Sequence, residues 1–100
     1  MKEIRRQGEL LIKPCGKIQG KRLGHLILAE GEVTGHIHAI TKGNAELYEK
    51  DGTLYLKVIS DEVELTHPDH KTLAIPAGEY EIVKQREYQV GDEKYREVKD

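Results

Sequence analysis

The sequence predicts an all-β fold, either a small antiparallel β-barrel or a sandwich of about eight or nine short strands. Three observations support this fold class. Glycine, proline and Asp-Gly pairs punctuate the chain at short, regular intervals. The stretches between them have the length of strands and are too short for typical helices. Apolar and polar residues alternate with a period of two where a pattern is clear, and no segment has helical periodicity.

The clearest element is a hairpin around Asp51-Gly52, in the stretch "AELYEKDGTLYLKVI". Asp-Gly accepts the positive φ angles of a type I′ turn, which joins two strands through two residues. After the turn, Leu54, Leu56 and Val58 alternate with polar or aromatic neighbours. This alternation predicts a strand with one buried face.

Further strands are predicted over residues 9–13, 23–30, 36–41, 62–66, 72–75 and 79–90. The run "LILA" at residues 26–29 is apolar on both faces, which indicates a central strand. The last segment is long enough to bend, with Tyr80 and Ile82 on one face. A second two-residue hairpin is predicted at Gly91-Asp92.

Composition indicates one small soluble domain that spans residues 1–100. Charged residues form 34% of the chain and the net charge is −2, which argues against a broad nucleic-acid surface. The basic stretch "RRQGELLIKPCGKIQGKR" could contact nucleic acid locally but has no aromatic residue for stacking. One cysteine, Cys15, permits no internal disulfide. No signal peptide or membrane-length apolar run is present, so a cytoplasmic location is expected.

Two histidine pairs are the strongest candidates for a functional site. His36 and His38 are two positions apart in a predicted strand, so both side chains project from the same face. His67 and His70 flank the Pro68-Asp69 turn. We expect the four imidazoles to converge on a divalent metal (Zn, Mn, Fe or Ni), alone or with a carboxylate. The candidate carboxylates are Glu30, Glu32 and Asp69.

Other interpretations of the histidines stay open. The pairs could be ordinary polar surface, or they could perform acid–base chemistry without a metal. If they form a site, strand alternation places Ile40 on their face and Ile37 on the other. His25, in an apolar segment, is expected to be a hydrogen-bonded core residue.

Arg86, in "QREY", shares a strand face with Tyr80 and Ile82. A buried guanidinium there needs a partner, because an unpaired buried charge is costly. It would form either a structural ion pair or a clamp for a phosphate or carboxylate. With His36 and His38 as catalytic candidates, Arg86 could complete a site for phosphodiester hydrolysis.

The segments "GEVTGHIH" (31–38) and "IPAGEYEI" (75–82) resemble the cupin superfamily. In cupins an HxH strand and a later PxG turn frame a metal inside a small β-barrel. This resemblance implies a turn at Pro76–Gly78 and a metal near His36 and His38.

A longer likeness covers nearly the whole chain. "QGE", "AEGEVTGHIHAI", "LTHPDHKTLAIPAGEYEIVKQREY" and "REVKD" resemble a family of small, uncharacterised bacterial and phage proteins. The resemblance implies one compact domain and no assigned activity.

Two functional hypotheses follow. The first is a metal-binding β-barrel protein that acts on a small molecule or a phosphodiester by metal-assisted hydrolysis. The second is a non-enzymatic accessory module that binds a protein partner, or another copy of itself, in a larger bacterial or phage assembly. No membrane association is expected under either hypothesis.

Overall fold

A computed structural model describes residues 3–30 and 36–84 of the chain. These residues form strands and turns without a helix, and the strands make one antiparallel sheet that curls into a half-barrel. The all-β prediction is confirmed, but the barrel is open. The strands are β1 (Arg5–Gln7), β2 (Leu10–Pro14), β3 (Lys21–Arg22), β4 (Ile27–Glu30), β5 (Ile37–Lys42), β6 (Ala45–Lys50), β7 (Thr53–His67) and β8 (His70–Lys84).

The sheet is organised around the long β7–β8 hairpin. Its main order is β1-β2-β8-β7-β5-β4, and β6 pairs with β7 while β3 pairs with β6. The first part of β7 pairs with β6 and its last part pairs with β5. Because β7 changes neighbours along its length, its two ends lie in different surroundings.

Strands β7 and β8 each continue through a position where the sequence predicted a break. The predicted strand at 62–66 is the second half of β7, and those at 72–75 and 79–90 belong to β8 as far as it is described. The prediction of a cupin-like turn at Pro76–Gly78 is therefore wrong. Pro76 pairs with Glu62 where the register shifts, and β2 reaches only Tyr80 along β8. A proline is tolerated at such an irregular, partly unpaired position.

The segment after Arg22 also differs from its prediction. Strand β4 begins at Ile27 and lies at the end of the main sheet order, so "LILA" is not a central strand. Leu28 enters the core, but the neighbouring residues are half-buried. His25 is exposed, and its Nδ1 accepts a hydrogen bond from Ile27 N at 3.1 Å, so it is not a core histidine.

The Asp51-Gly52 hairpin is confirmed. Lys50 pairs with Thr53 across a two-residue turn, and both turn residues have positive φ (53° and 83°), as type I′ requires. The predicted Gly91-Asp92 hairpin lies outside the described residues.

The core consists of aliphatic side chains from the inward face of the curled sheet, with one aromatic. Tyr80 is fully buried, and its hydroxyl donates to Pro76 O at 2.7 Å, so its polar atom is satisfied. Among the described residues there is no helix that could cross a membrane. The buried apolar residues are Leu10, Ile12, Leu28, Ile40, Leu47, Leu56, Val58, Val63, Leu65, Ile75, Tyr80 and Ile82.

Candidate functional site

Four imidazoles lie together at the His67 end of β7. The ring centroid of His67 is 4.3 Å from that of His38, 4.6 Å from that of His70 and 5.8 Å from that of His36. The centroids of His38 and His70 are 6.0 Å apart. We call these four residues the histidine cluster.

Sheet register explains why the histidines meet. Ala39 of β5 is opposite Thr66 of β7, which places His38 beside the end of β7. His67 pairs with His70 across the two-residue Pro68-Asp69 turn. Three neighbouring strands therefore bring one histidine each to the same edge of the molecule.

His38 points into the protein. It is 1% exposed, and Ile40 on the same strand face is buried, whereas Ile37 is only half-buried. The interpretation of His38 as ordinary polar surface is therefore wrong. His36 precedes β5 and is half-exposed, so the two members of this pair have different environments.

Gln7 at the end of β1 fixes the orientation of His38. The Gln7 amide nitrogen donates to Leu65 O and to Lys71 O, both at 2.8 Å. Its two hydrogens are thereby used, so its Oε1, 2.8 Å from His38 Nδ1, must accept from that nitrogen. A neutral His38 consequently carries its proton on Nδ1 and has a lone pair on Nε2.

That lone pair faces a carboxylate. His38 Nε2 lies 3.7 Å from Glu9 Oε2, is buried, and forms no hydrogen bond with any residue of 3–30 or 36–84. The two acceptors repel one another, and the buried His38 Nε2 has lost its hydration, whereas the Glu9 side chain is 33% exposed to solvent. Something that carries positive charge or donates protons is needed between them.

Protonation of His38 does not fill this role at neutral pH. Burial, reinforced by the neighbouring His67, lowers the pKa of His38 from 6.5 to about 4, although Glu9 acts in the opposite direction. Burial and the neighbouring His70 also lower the pKa of His67, against an opposing effect of Asp69. At neutral pH His38 and His67 are therefore neutral imidazoles, the form that binds metals.

The Pro68-Asp69 turn orients the two outer rings. Asp69 N donates to His67 Nδ1 at 3.0 Å, so that nitrogen is occupied in this conformation. The Asp69 carboxylate lies 3.0 Å from His36 Nδ1. One turn residue thus contacts a histidine from each predicted pair.

Gly8 allows the β1–β2 turn to approach the cluster closely. Gln7 pairs with Leu10, so Gly8-Glu9 is a two-residue turn, and Gly8 has a φ of +62°. A Cβ at Gly8 would lie 2.6 Å from His70 Nε2. Within "QGE", then, the first residue orients His38, the second packs against His70 and the third faces His38 Nε2.

A cleft of about 510 Å³ opens beside the cluster, between β1 and the start of β8. Its volume is within the range of small-molecule sites. The lining residues are Arg6, Gln7, Asp69, His70, Lys71, Thr72 and Leu73.

The structure places the predicted residues unequally. It brings His36, His38, His67 and His70 together, whereas Arg86 and Glu32 lie outside the described residues. In the described part of the chain no group of three or more His, Cys, Asp or Glu side chains is arranged to hold a metal ion. Sequence reasoning missed Gln7 and Glu9 as site residues, because nothing local indicates that β1 reaches the cluster.

The histidine cluster and the "QGE" turn both lie within the region matched by a family model. Residues 6–85 match the model of a domain of unknown function, DUF8820. The chain belongs to this family. The match confirms that the chain belongs to an uncharacterised family, while the bacterial or phage source and the family motifs stay predictions. No curated protein and no solved structure matches the chain.

Proposed function

We propose that the protein binds a divalent transition metal at the histidine cluster, with His38 Nε2 and Glu9 as its first two ligands. The observation that carries the proposal is the buried His38 nitrogen, whose lone pair faces the Glu9 carboxylate without a hydrogen bond to any described residue. A cation between these groups would remove the repulsion and give His38 Nε2 the partner that it lacks among the described residues.

The spacing of the two groups suits a shared ion. With metal–nitrogen and metal–oxygen bonds of about 2.0–2.2 Å, two ligands of a tetrahedral ion are about 3.4 Å apart, and slightly more at a wider angle. The observed separation of 3.7 Å between His38 Nε2 and Glu9 Oε2 is close to this distance. It is too long for a direct hydrogen bond.

The surroundings of His38 support the same role. A histidine that binds a metal through one nitrogen usually donates the other N–H to an oxygen, which fixes both tautomer and ring orientation. Gln7 Oε1 performs this task for His38, and two backbone carbonyls hold Gln7 in turn. Such a support is expected where a nitrogen lone pair must point in one direction.

The remaining ligands would come from the cluster after a rotation of side chains. His70 and His67 are adjacent to His38, but His67 Nδ1 accepts Asp69 N–H and would have to use Nε2 or release that bond. One histidine added to His38 and Glu9 gives three protein ligands and an open position for water. Such a site is suited to metal-assisted hydrolysis, with a small molecule or phosphodiester as substrate.

The test is metal binding by protein prepared without a histidine tag. We expect close to one equivalent of Zn²⁺ or Co²⁺ by elemental analysis, and a visible Co²⁺ spectrum of the intense, tetrahedral type. His38→Ala and Glu9→Gln should each weaken binding by about 10-fold or more, since each removes a ligand. His25→Ala is the matched control, because His25 is exposed and lies outside the cluster.

Circular dichroism of each variant separates lost ligands from lost folding. Sub-stoichiometric metal in the wild-type protein, or equal affinity in the His38→Ala variant, would show that the cluster is not a metal site.

A second candidate function is supported by the surface. Ile4 and Ile59 are 60% and 53% exposed, and β1 and β4 end the main sheet order, where strands can pair with another chain. An accessory module that binds a protein partner or a second copy would use these features. Light scattering of the wild type and an Ile4→Ser/Ile59→Ser double variant tests self-association, and a strict monomer at high concentration argues against it.

A further inference from the structure

We propose that the cleft beside the histidine cluster binds a dianionic phosphoryl group. As a substrate site this rests on the proposed metal function, but the binding step itself does not require the metal. The cleft shares His70 and Gln7 with the surroundings of the cluster, so an anion held there is next to the candidate metal ligands.

Charge on the cleft walls supports an anionic ligand. Arg6 and Lys71 both line the cleft, and neither forms an ion pair with another residue in the described ranges. Among the described lining residues the single carboxylate is that of Asp69, which is already 3.0 Å from His36 Nδ1. Two cations without carboxylate partners therefore face one open space.

One hydrogen bond links the two strands that carry the cationic residues. Arg6 precedes Gln7 in β1, and the Gln7 amide donates to the carbonyl oxygen of Lys71 at 2.8 Å. This bond fixes the backbones of both cationic residues relative to one another. The cleft is therefore positioned in advance, and little backbone ordering is needed when a ligand enters.

The donor set favours a phosphoryl group over a carboxylate. Arginine presents a planar fork that matches two phosphoryl oxygens, and lysine supplies a second point charge. Thr72 offers a hydroxyl donor on the same wall. Arg6 and Lys71 attract a dianion more strongly than a singly charged carboxylate, even with the Asp69 carboxylate on the same wall.

The experiment is a titration of metal-free protein, kept in a chelator, with inorganic phosphate. Chemical shifts of the imidazole of His70 and the backbone amides of residues 71–73 report on the cleft. We expect saturation with a Kd of about 1 mM. Arg6→Gln and Lys71→Gln should each weaken binding by about tenfold, because each removes one charge-assisted contact.

The control variant is Lys21→Gln. Lys21 is an exposed lysine in β3, which pairs with β6 near the opposite end of β7, and its loss should leave phosphate affinity unchanged. Acetate at the same ionic strength should bind at least about tenfold more weakly than phosphate, since it carries one charge.

Three results would overturn the proposal: no saturation by phosphate, equal affinity in the Arg6→Gln/Lys71→Gln double variant, or an equal loss in Lys21→Gln. Because the titration contains no metal, failure of the cleft is distinct from failure of the metal site. Phosphate binding without metal binding would support the proposal for the cleft and rule out only the proposed metal site.

Discussion

The two ends of β7 carry turns of the same length but of different kinds. At the Thr53 end, Asp51-Gly52 joins β6 to β7, is exposed, and has open space around the glycine. At the His67 end, Pro68-Asp69 joins β7 to β8, and Gly8 of a distant turn packs against the next residue, His70. The first turn only reverses the chain, whereas the second also orients side chains.

The difference shows how a local element becomes a site. The Asp51-Gly52 hairpin needs only its own residues, because the dipeptide accepts the required φ angles. The His67–His70 hairpin acquires the Glu9 carboxylate and a cleft lined by Arg6 only where the β1–β2 turn meets it. Substitutions should therefore have small, local effects at the first turn and larger, coupled effects around the second.

The largest effect is expected for Gln7→Ala. Truncation leaves His38 Nδ1 and the carbonyls of Leu65 and Lys71 without their partner. Loss of a partner costs about 1–3 kcal/mol for each buried polar group, and the Lys71 carbonyl is only part-buried, so the free energy of unfolding should fall by about 3–5 kcal/mol, the lower part of the summed range. Gln19→Ala is the matched control, since exposed Gln19 accepts a hydrogen bond from the Lys50 ammonium and its loss should cost less than about 0.5 kcal/mol.

Urea unfolding of both glutamine variants measures the contrast. A loss below about 1 kcal/mol in Gln7→Ala would mean that water replaces the amide at little cost. In that case the contacts between β1 and the Pro68-Asp69 turn would stabilise the fold no more than the surroundings of the Asp51-Gly52 turn do.

A smaller effect of about 3 kcal/mol is expected from pH. Burial lowers the pKa of His38 from 6.5 to about 4, so between these values the unfolded chain binds a proton that the folded protein does not. The contribution of His38 to stability is fully present above pH 6.5. It falls as the pH is lowered, and at about pH 4 the loss of stability amounts to about 3 kcal/mol.

The pH contribution of His38 can be separated from that of other groups. Unfolding of the metal-free wild type and of His38→Gln is compared at pH 7 and at pH 4, and the wild type should lose more stability. NMR titration of the His38 ring gives its midpoint directly. A midpoint near 6.5 would show that the imidazole is solvated, contrary to its burial.

Sequence reasoning predicted the local parts of this molecule well. Alternation around Leu54 and Leu56 and the Asp51-Gly52 turn indicate their structure from neighbouring residues alone. The spacing of His36 and His38 likewise placed His38 on the buried face with Ile40. Each of these inferences needs only strand periodicity or turn chemistry.

The missed features depend on contacts between distant segments. Pro76 predicts a turn, yet it lies in β8. A register shift occurs at this position and β2 pairs with β8 only as far as Tyr80, so the strand tolerates a residue without an N–H. Gln7 and Glu9 carry no local signal, since their roles arise only when β1 meets the β7–β8 hairpin. The periodicity of the sequence does not predict how the sheet curves, and the positions of Gln7 and Glu9 beside the histidine cluster depend on that curvature.

The smallest effects separate the two glycine turns. Gly8 (φ +62°) and Gly52 (φ +83°) both have the left-handed backbone conformation, which costs about 1–2 kcal/mol for a residue with a Cβ. Gly52→Ala should show this cost alone, because its Cβ would meet open space, whereas Gly8→Ala adds a 2.6 Å contact with His70 Nε2. We expect a loss of about 2–3 kcal/mol for Gly8→Ala and about 1 kcal/mol for Gly52→Ala.

The His70 ring can relieve the contact by rotating, which would move a candidate ligand, so Gly8→Ala should also weaken metal binding while Gly52→Ala leaves it unchanged. Denaturant unfolding and Co²⁺ titration of both variants check the two predictions. Equal losses in both measurements would mean that the Gly8 turn does not constrain His70, and the two ends of β7 would then differ only in their amino-acid composition.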